Sequence, residues 1–204
     1  MSHDHSHSFD SKDLEDKNYL KVLKICFGTN FTMFFVEVFA GFFSKSLAIL
    51  ADSVDFLSDS VSYGVGIYAI NKQGKIRSYA AIFEASTMIF VAIAIAYQAV
   101  NKLINPSAPI AEIMGATSIL AFIINFYCAY LLSRFKGGDS LQKSLWLCSR
   151  NDAINNLLIL VAAIIVYYTG SGIPDLLVAA FIIILEAGSA YGVIKQAIAE
   201  LKKN

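Results

Sequence analysis

An all-α membrane protein, built as a bundle of six transmembrane helices, is the fold class that the sequence predicts. Its 204 residues are 56% hydrophobic and only 16% charged, and the mean hydropathy is +0.58, too apolar for an ordinary soluble domain. Six stretches, at 22–43, 46–70, 80–103, 110–132, 141–168 and 176–194, each reach the roughly 20 residues that a helix needs to span a hydrocarbon core.

Taken in order, residues 1–20 are polar and carry His3, His5 and His7 in alternation. They lack the apolar core of a secretory signal and read as a flexible cytoplasmic tail whose imidazoles can collect a transition metal ion. A transport domain follows at 21–198. Its first span contains Glu37 and ends at the short Ser44-Lys45 turn. The second contains Asp52, Asp55 and Asp59 and stops at the basic run KQGK at 72–75. The third, with Glu84, ends at NPSAP at 105–109, which cannot continue a helix. Gly137 and Gly138 separate the fourth and fifth spans, and TGSGIPD at 169–175 separates the fifth and sixth, with Pro174 placed to open a helix. Residues 199–204 form a short cytoplasmic C-terminus.

Lysine and arginine are enriched on cytoplasmic flanks. With six spans, one side holds Lys12, Lys17, Lys21, Lys24, Lys72, Lys75, Arg77, Arg134, Lys136, Lys143, Lys195, Lys202 and Lys203, and the other only Lys45 and Lys102. Both termini are therefore expected in the cytoplasm, and the membrane is the inner (plasma) membrane if the source is bacterial. The formal net charge is zero and no basic run has interleaved aromatics, so nucleic acid is not an expected partner. Cys26, Cys128 and Cys148 are odd in number and lie in apolar surroundings, so they read as reduced, buried thiols.

The stretch SLAILADSVDFLSDS at 46–60 organises the functional reading. A carboxylate inside a membrane costs several kcal/mol, about 3 upward, unless something uses it. Asp55 and Asp59, four apart, stack on one helical face, with Asp52 near the same stripe. In the fifth span, Cys148 and Asp152 have the same spacing. Two facing helices with two ligands each suffice for a four-coordinate metal site. Asn155 and Asn156, one turn beyond Asp152, can hydrogen-bond the ligands or simply join helices. Depth is the difficulty: Asp59 lies about 20 Å from Lys72 and Asp152 about 14 Å from Lys143 along their helices, so the levels match only if the second helix extends a turn beyond the membrane.

Glu37, Glu84, Arg150 and Glu186 also fall within apolar segments and call for partners. Arg150 points away from the Cys148 and Asp152 face, so a structural ion pair is expected, with Glu84 as the partner.

The run SLAILADSVDFLSD resembles the signature of the cation diffusion facilitators, in which a Ser-Leu-Ala start leads to an acidic or His residue followed four later by Asp. Glu37 and Gly41, Tyr79 and Glu84, Pro174-Asp175 and the paired residues of the fifth span also match that family's marks, and the resemblance covers 22–198. It implies a six-helix bundle, usually a homodimer, that exports divalent transition metal ions from the cytoplasm in exchange for protons. The transport site so implied is Asp55, Asp59, Cys148 and Asp152, with Asp52 as an auxiliary. Where the family usually has His, this chain has Cys148, and it stops at Asn204, where the family's cytoplasmic metal-binding domain would follow.

Chemistry agrees with the resemblance. Buried carboxylates that lose their protons when a divalent cation enters make one site carry either protons or metal, which is antiport by alternating access. Zinc or cadmium is the expected substrate, with cobalt, nickel or iron as further candidates, and no resident cofactor is expected. A proton-coupled exporter of small organic cations would use the same carboxylates with aromatics such as Phe56, Tyr63 and Trp146 for cation-π contact. An intramembrane aspartyl hydrolase fits less well, because each helix offers a pair of ligands rather than a single acid, and a transporter rather than an enzyme is expected.

Overall fold

The computed structural model describes the backbone of residues 6–69, 75–137 and 140–203, and among these all regular structure is helical. Six helices follow one another: α1 (Ser6–Ser44), α2 (Leu47–Ala69), α3 (Lys75–Ile104), α4 (Ala111–Leu132), α5 (Ser140–Thr169) and α6 (Ile173–Lys203). Stretches long and apolar enough to cross a membrane are Lys17–Ser44, Ala111–Leu132, Leu145–Thr169 and Ile173–Gly192. The described apolar part of α3, Ile89–Ile104, is shorter, and α2 carries three carboxylates within its 23 residues, about 35 Å of helix.

The helices overrun the expected spans at both ends of the chain. α1 begins at Ser6, inside the segment expected to be a flexible tail, because residues 6–27 contain neither Gly nor Pro to interrupt it. His3 and His5 lie outside the described residues. α6 likewise continues past residue 194 to Lys203, taking in most of the expected C-terminal segment.

Burial is inverted relative to a soluble protein. Phe31, Phe35, Phe39, Phe42, Tyr97 and Phe126 face outward, whereas Asn30, Glu37, Asp52, Asp55, Asp59, Asn125 and Asn156 are buried between helices. A bilayer solvates such an apolar exterior, and the bundle interior is where polar groups then belong. These features together make the chain an integral membrane protein.

α2 is the hub, since among the described residues it packs against each of the other five helices and no other helix does. Its buried apolar residues, Leu47, Ala48, Ile49, Leu50, Ala51 and Val54, form the centre of the main core with Ile95, Met114, Ile159 and Ile182. The turn from α1 into α2 is tight, with Lys45 at φ 58°. Gly41 lets the two helices close there: a Cβ at this position would meet the Leu50 side chain at 2.7 Å.

Candidate metal-transport site

The start of α2 is pinned from outside its own helix. Ser46 Oγ accepts from the Ile49 N–H at 3.2 Å and donates to Asp175 Oδ1 at 2.6 Å. Asp175, fully buried in the first turn of α6, also accepts from the Leu47 and Ala48 N–H groups at 3.0 and 3.1 Å. It thus acts as a second N-cap supplied by another helix. Lys102 Nζ at the end of α3 reaches Asp175 Oδ2 at 2.8 Å and the Lys45 carbonyl at 2.7 Å. This contact also satisfies a carbonyl of the left-handed turn. Sequence reasoning placed Lys102 on the outer side without a partner.

From that anchor Asp55 and Asp59 lie about 12 and 18 Å along α2. Both are buried, at 5% and 6% exposure, and Asp52 is fully buried. Asp52 faces Glu37 of α1, which brings two of the expected intramembrane acids together. One turn beyond Asp59, the Tyr63 hydroxyl donates to Asp59 Oδ2 at 3.2 Å and shares a hydrogen bond with Ser149 Oγ of α5. Tyr63 is therefore level with Ser149, and Asp59 lies about one helical turn from that level.

On α5 the face turned inward is Leu145, Ser149, Ala153, Asn156 and Ile159, all buried. Cys148 and Asp152 share a face as their spacing requires, but it is centred about 60° round the helix from this stripe. Asp152 and Asn155 are half-buried and Cys148 is exposed. The expectation of three buried thiols is thereby corrected: Cys26 and Cys128 are buried, and Cys148 is not. Packing favours the small Ser149 over Cys148 at the α2 contact. Asn156 is fully buried, with neither amide atom hydrogen-bonded among the described residues. Among the described residues no group of three or more His, Cys, Asp or Glu lies close enough to hold a metal ion. The structure thus brings Asp55 and Asp59 together on α2 and sets α5 beside them through Ser149, while Cys148 is exposed.

Two other expectations have different outcomes. Arg150 is exposed rather than buried; its guanidinium lies 5.2 Å from the Trp146 ring and donates to Asn151 Oδ1 at 3.1 Å. The side chains of Glu84 and Glu186 lie outside the described residues, and so does that of His7. Tyr63 and Ser149 are the site residues that sequence reasoning did not assign. The continuation of the spacing 55, 59, 63 along one face was the available signal for Tyr63.

Residues 23–202 match the model of the cation efflux transmembrane domain. The chain is 27% identical over 194 residues to the cadmium, cobalt and zinc/H(+)-K(+) antiporter of Bacillus subtilis, covering 87% of this chain and 62% of that protein. It is 25% identical over 214 residues to zinc transporter ZitB of Escherichia coli, covering 98% and 68%. Against the metal cation efflux system protein CzcD of Cupriavidus metallidurans it is 28% identical over 172 residues, covering 78% and 54%. The chain thus spans 54% to 68% of the length of these relatives. With a family match over almost its whole length, this chain belongs to the cation efflux family.

Proposed function

We propose that the protein exports divalent transition metal ions, zinc or cadmium first, in exchange for protons, with Asp55 and Asp59 at the centre of the transport site. The observation that carries this is the burial of Asp52, Asp55 and Asp59 on the helix that touches all five others. Carboxylates there can trade protons for a dication without leaving net charge in the bundle. The relatives' names, cadmium, cobalt and zinc antiporter and zinc transporter, supply the substrate class; they favour metal over organic cations.

In this reading Cys148 and Asp152 complete the coordination when α5 rotates or slides against α2. The Tyr63 hydrogen bonds to Asp59 and Ser149 are the contact that such a movement breaks. Asn155 and Asn156 would hydrogen-bond the ligands, and Asp52 with Glu37 would hold a proton beside the site. A thiolate ligand favours cadmium and zinc over manganese or magnesium. Both termini lie in the cytoplasm on the charge asymmetry of the loops, and the working unit is a homodimer. His3, His5 and His7 concentrate metal at the entrance. The test is metal-dependent flux into proteoliposomes under an imposed proton gradient, measured with zinc, cadmium and an organic cation. Flux of the organic cation alone would replace this reading.

A further inference from the structure

A second group of metal-binding atoms lies apart from the α2 carboxylates. Cys26 of α1 and Cys128 of α4 are both fully buried and belong to one packed cluster with Leu23, Tyr63 and Leu132. Asn30 Nδ2 donates to the Cys128 sulfur at 3.5 Å, and Thr29 Oγ1, whose proton goes to the Ile25 and Cys26 carbonyls, lies 3.6 Å from the same sulfur. Asn30 Nδ2 also donates to the Cys26 carbonyl at 2.8 Å, which fixes the amide orientation. Its Oδ1 is then a fully buried acceptor with no hydrogen-bond partner among the described residues. Two soft sulfurs and one unused oxygen therefore meet at the α1–α4 seam, on the side of the bundle where Asp59 and Tyr63 lie.

We propose that Cys26 and Cys128 form a two-thiolate site for a soft, linear-coordinating cation, Hg(II) in preference to Cu(I), separate from the transport carboxylates. Zinc is disfavoured because it takes four ligands, and no group of three or more His, Cys, Asp or Glu gathers here among the described residues. Thiolates select soft ions, and an ion satisfied by two collinear ligands needs nothing more. Binding breaks two S–H bonds, forms two S–Hg bonds and releases two protons to water, with no electron transfer. The Hg(II) product is neutral, whereas Cu(I) would leave a net negative charge in a fully buried place, which burial penalises. The Asn30 amide donor stabilises sulfur as it becomes thiolate, and Asn30 Oδ1 can lean on the cation as a weak third ligand.

The test uses the full chain in detergent with Cys148→Ser, which removes the exposed thiol and leaves only the buried pair. Mercuric chloride is added, excess glutathione follows, and retained mercury is counted after gel filtration. A single mercury per chain should resist glutathione, and adding Cys26→Ser or Cys128→Ser should lower retention at least tenfold. Mercury lost from the Cys148→Ser protein, or retained equally after either further substitution, would overturn the proposal. X-ray absorption on the loaded Cys148→Ser protein does not depend on those further variants folding. It should show two sulfur neighbours, and a shell of one sulfur or of oxygen and nitrogen only would refute the site.

Discussion

The Tyr63 hydroxyl occupies Asp59 Oδ2 at 3.2 Å while it also binds Ser149 of α5. One carboxylate oxygen expected to ligate metal is thus engaged by a neighbour on its own helix, and that neighbour ties α2 to α5. Tyr63→Phe removes a hydrogen bond that competes with metal, worth about 1 kcal/mol. Zinc affinity by isothermal titration should rise about fivefold, with transport slowed because the α2–α5 contact no longer resets. Weaker zinc binding would mean that Tyr63 supports the bound state instead.

Lys102 and Asp175 form a buried ion pair that also caps α2. Removing one partner of such a pair strands a buried charge and costs about 3–5 kcal/mol. Lys102→Met and Asp175→Leu should each lower the thermal midpoint in detergent, and the double variant should recover part of the loss from Asp175→Leu. Additive losses would show that the pairing itself is not what stabilises this end of the bundle.

Gly41 permits the α1–α2 approach, with Leu50 atoms 2.7 Å from where a Cβ would sit. Gly41→Ala should destabilise the bundle by about 1–3 kcal/mol through overpacking. Combining it with Leu50→Ala, which vacates that space, should cost less than the sum of the two single changes. Simple additivity in chemical denaturation would exclude the clash.

Much of the fold was legible because punctuation in a membrane chain is sharp: the Ser44-Lys45 turn and NPSAP at 105–109 both separate helices. The central place of α2 followed from three carboxylates that only a bundle interior can hold. The Lys102–Asp175 pair was not legible, since nothing local links residues on α3 and α6. On α5, residues 148 and 152 and residues 149, 153 and 156 have equally good helical spacing. Chemical type pointed to Cys148, and packing against α2 selected Ser149. α1 runs beyond the expected span at 22–43 because polarity marks the membrane boundary, not the helix boundary.

Exposure makes Cys148 a reporter of closure. A water-soluble maleimide should label Cys148 readily and spare Cys26 and Cys128. If α5 brings Cys148 to the metal, zinc should slow that labelling at least tenfold in the parent chain and leave it unchanged with Asp59→Asn. Equal labelling with and without zinc would remove Cys148 from the ligand set.

The central claim is that Asp55 and Asp59 bind the transported metal and trade it for protons. Zinc flux and internal pH measured together in proteoliposomes test it most directly, with the parent chain, Asp55→Asn and Asp59→Asn reconstituted side by side. The account predicts zinc movement coupled to opposite proton movement in the parent, and at least a hundredfold loss of both in each variant with the helical content unchanged. Undiminished zinc flux in either variant, or zinc flux without proton movement in the parent, would contradict it.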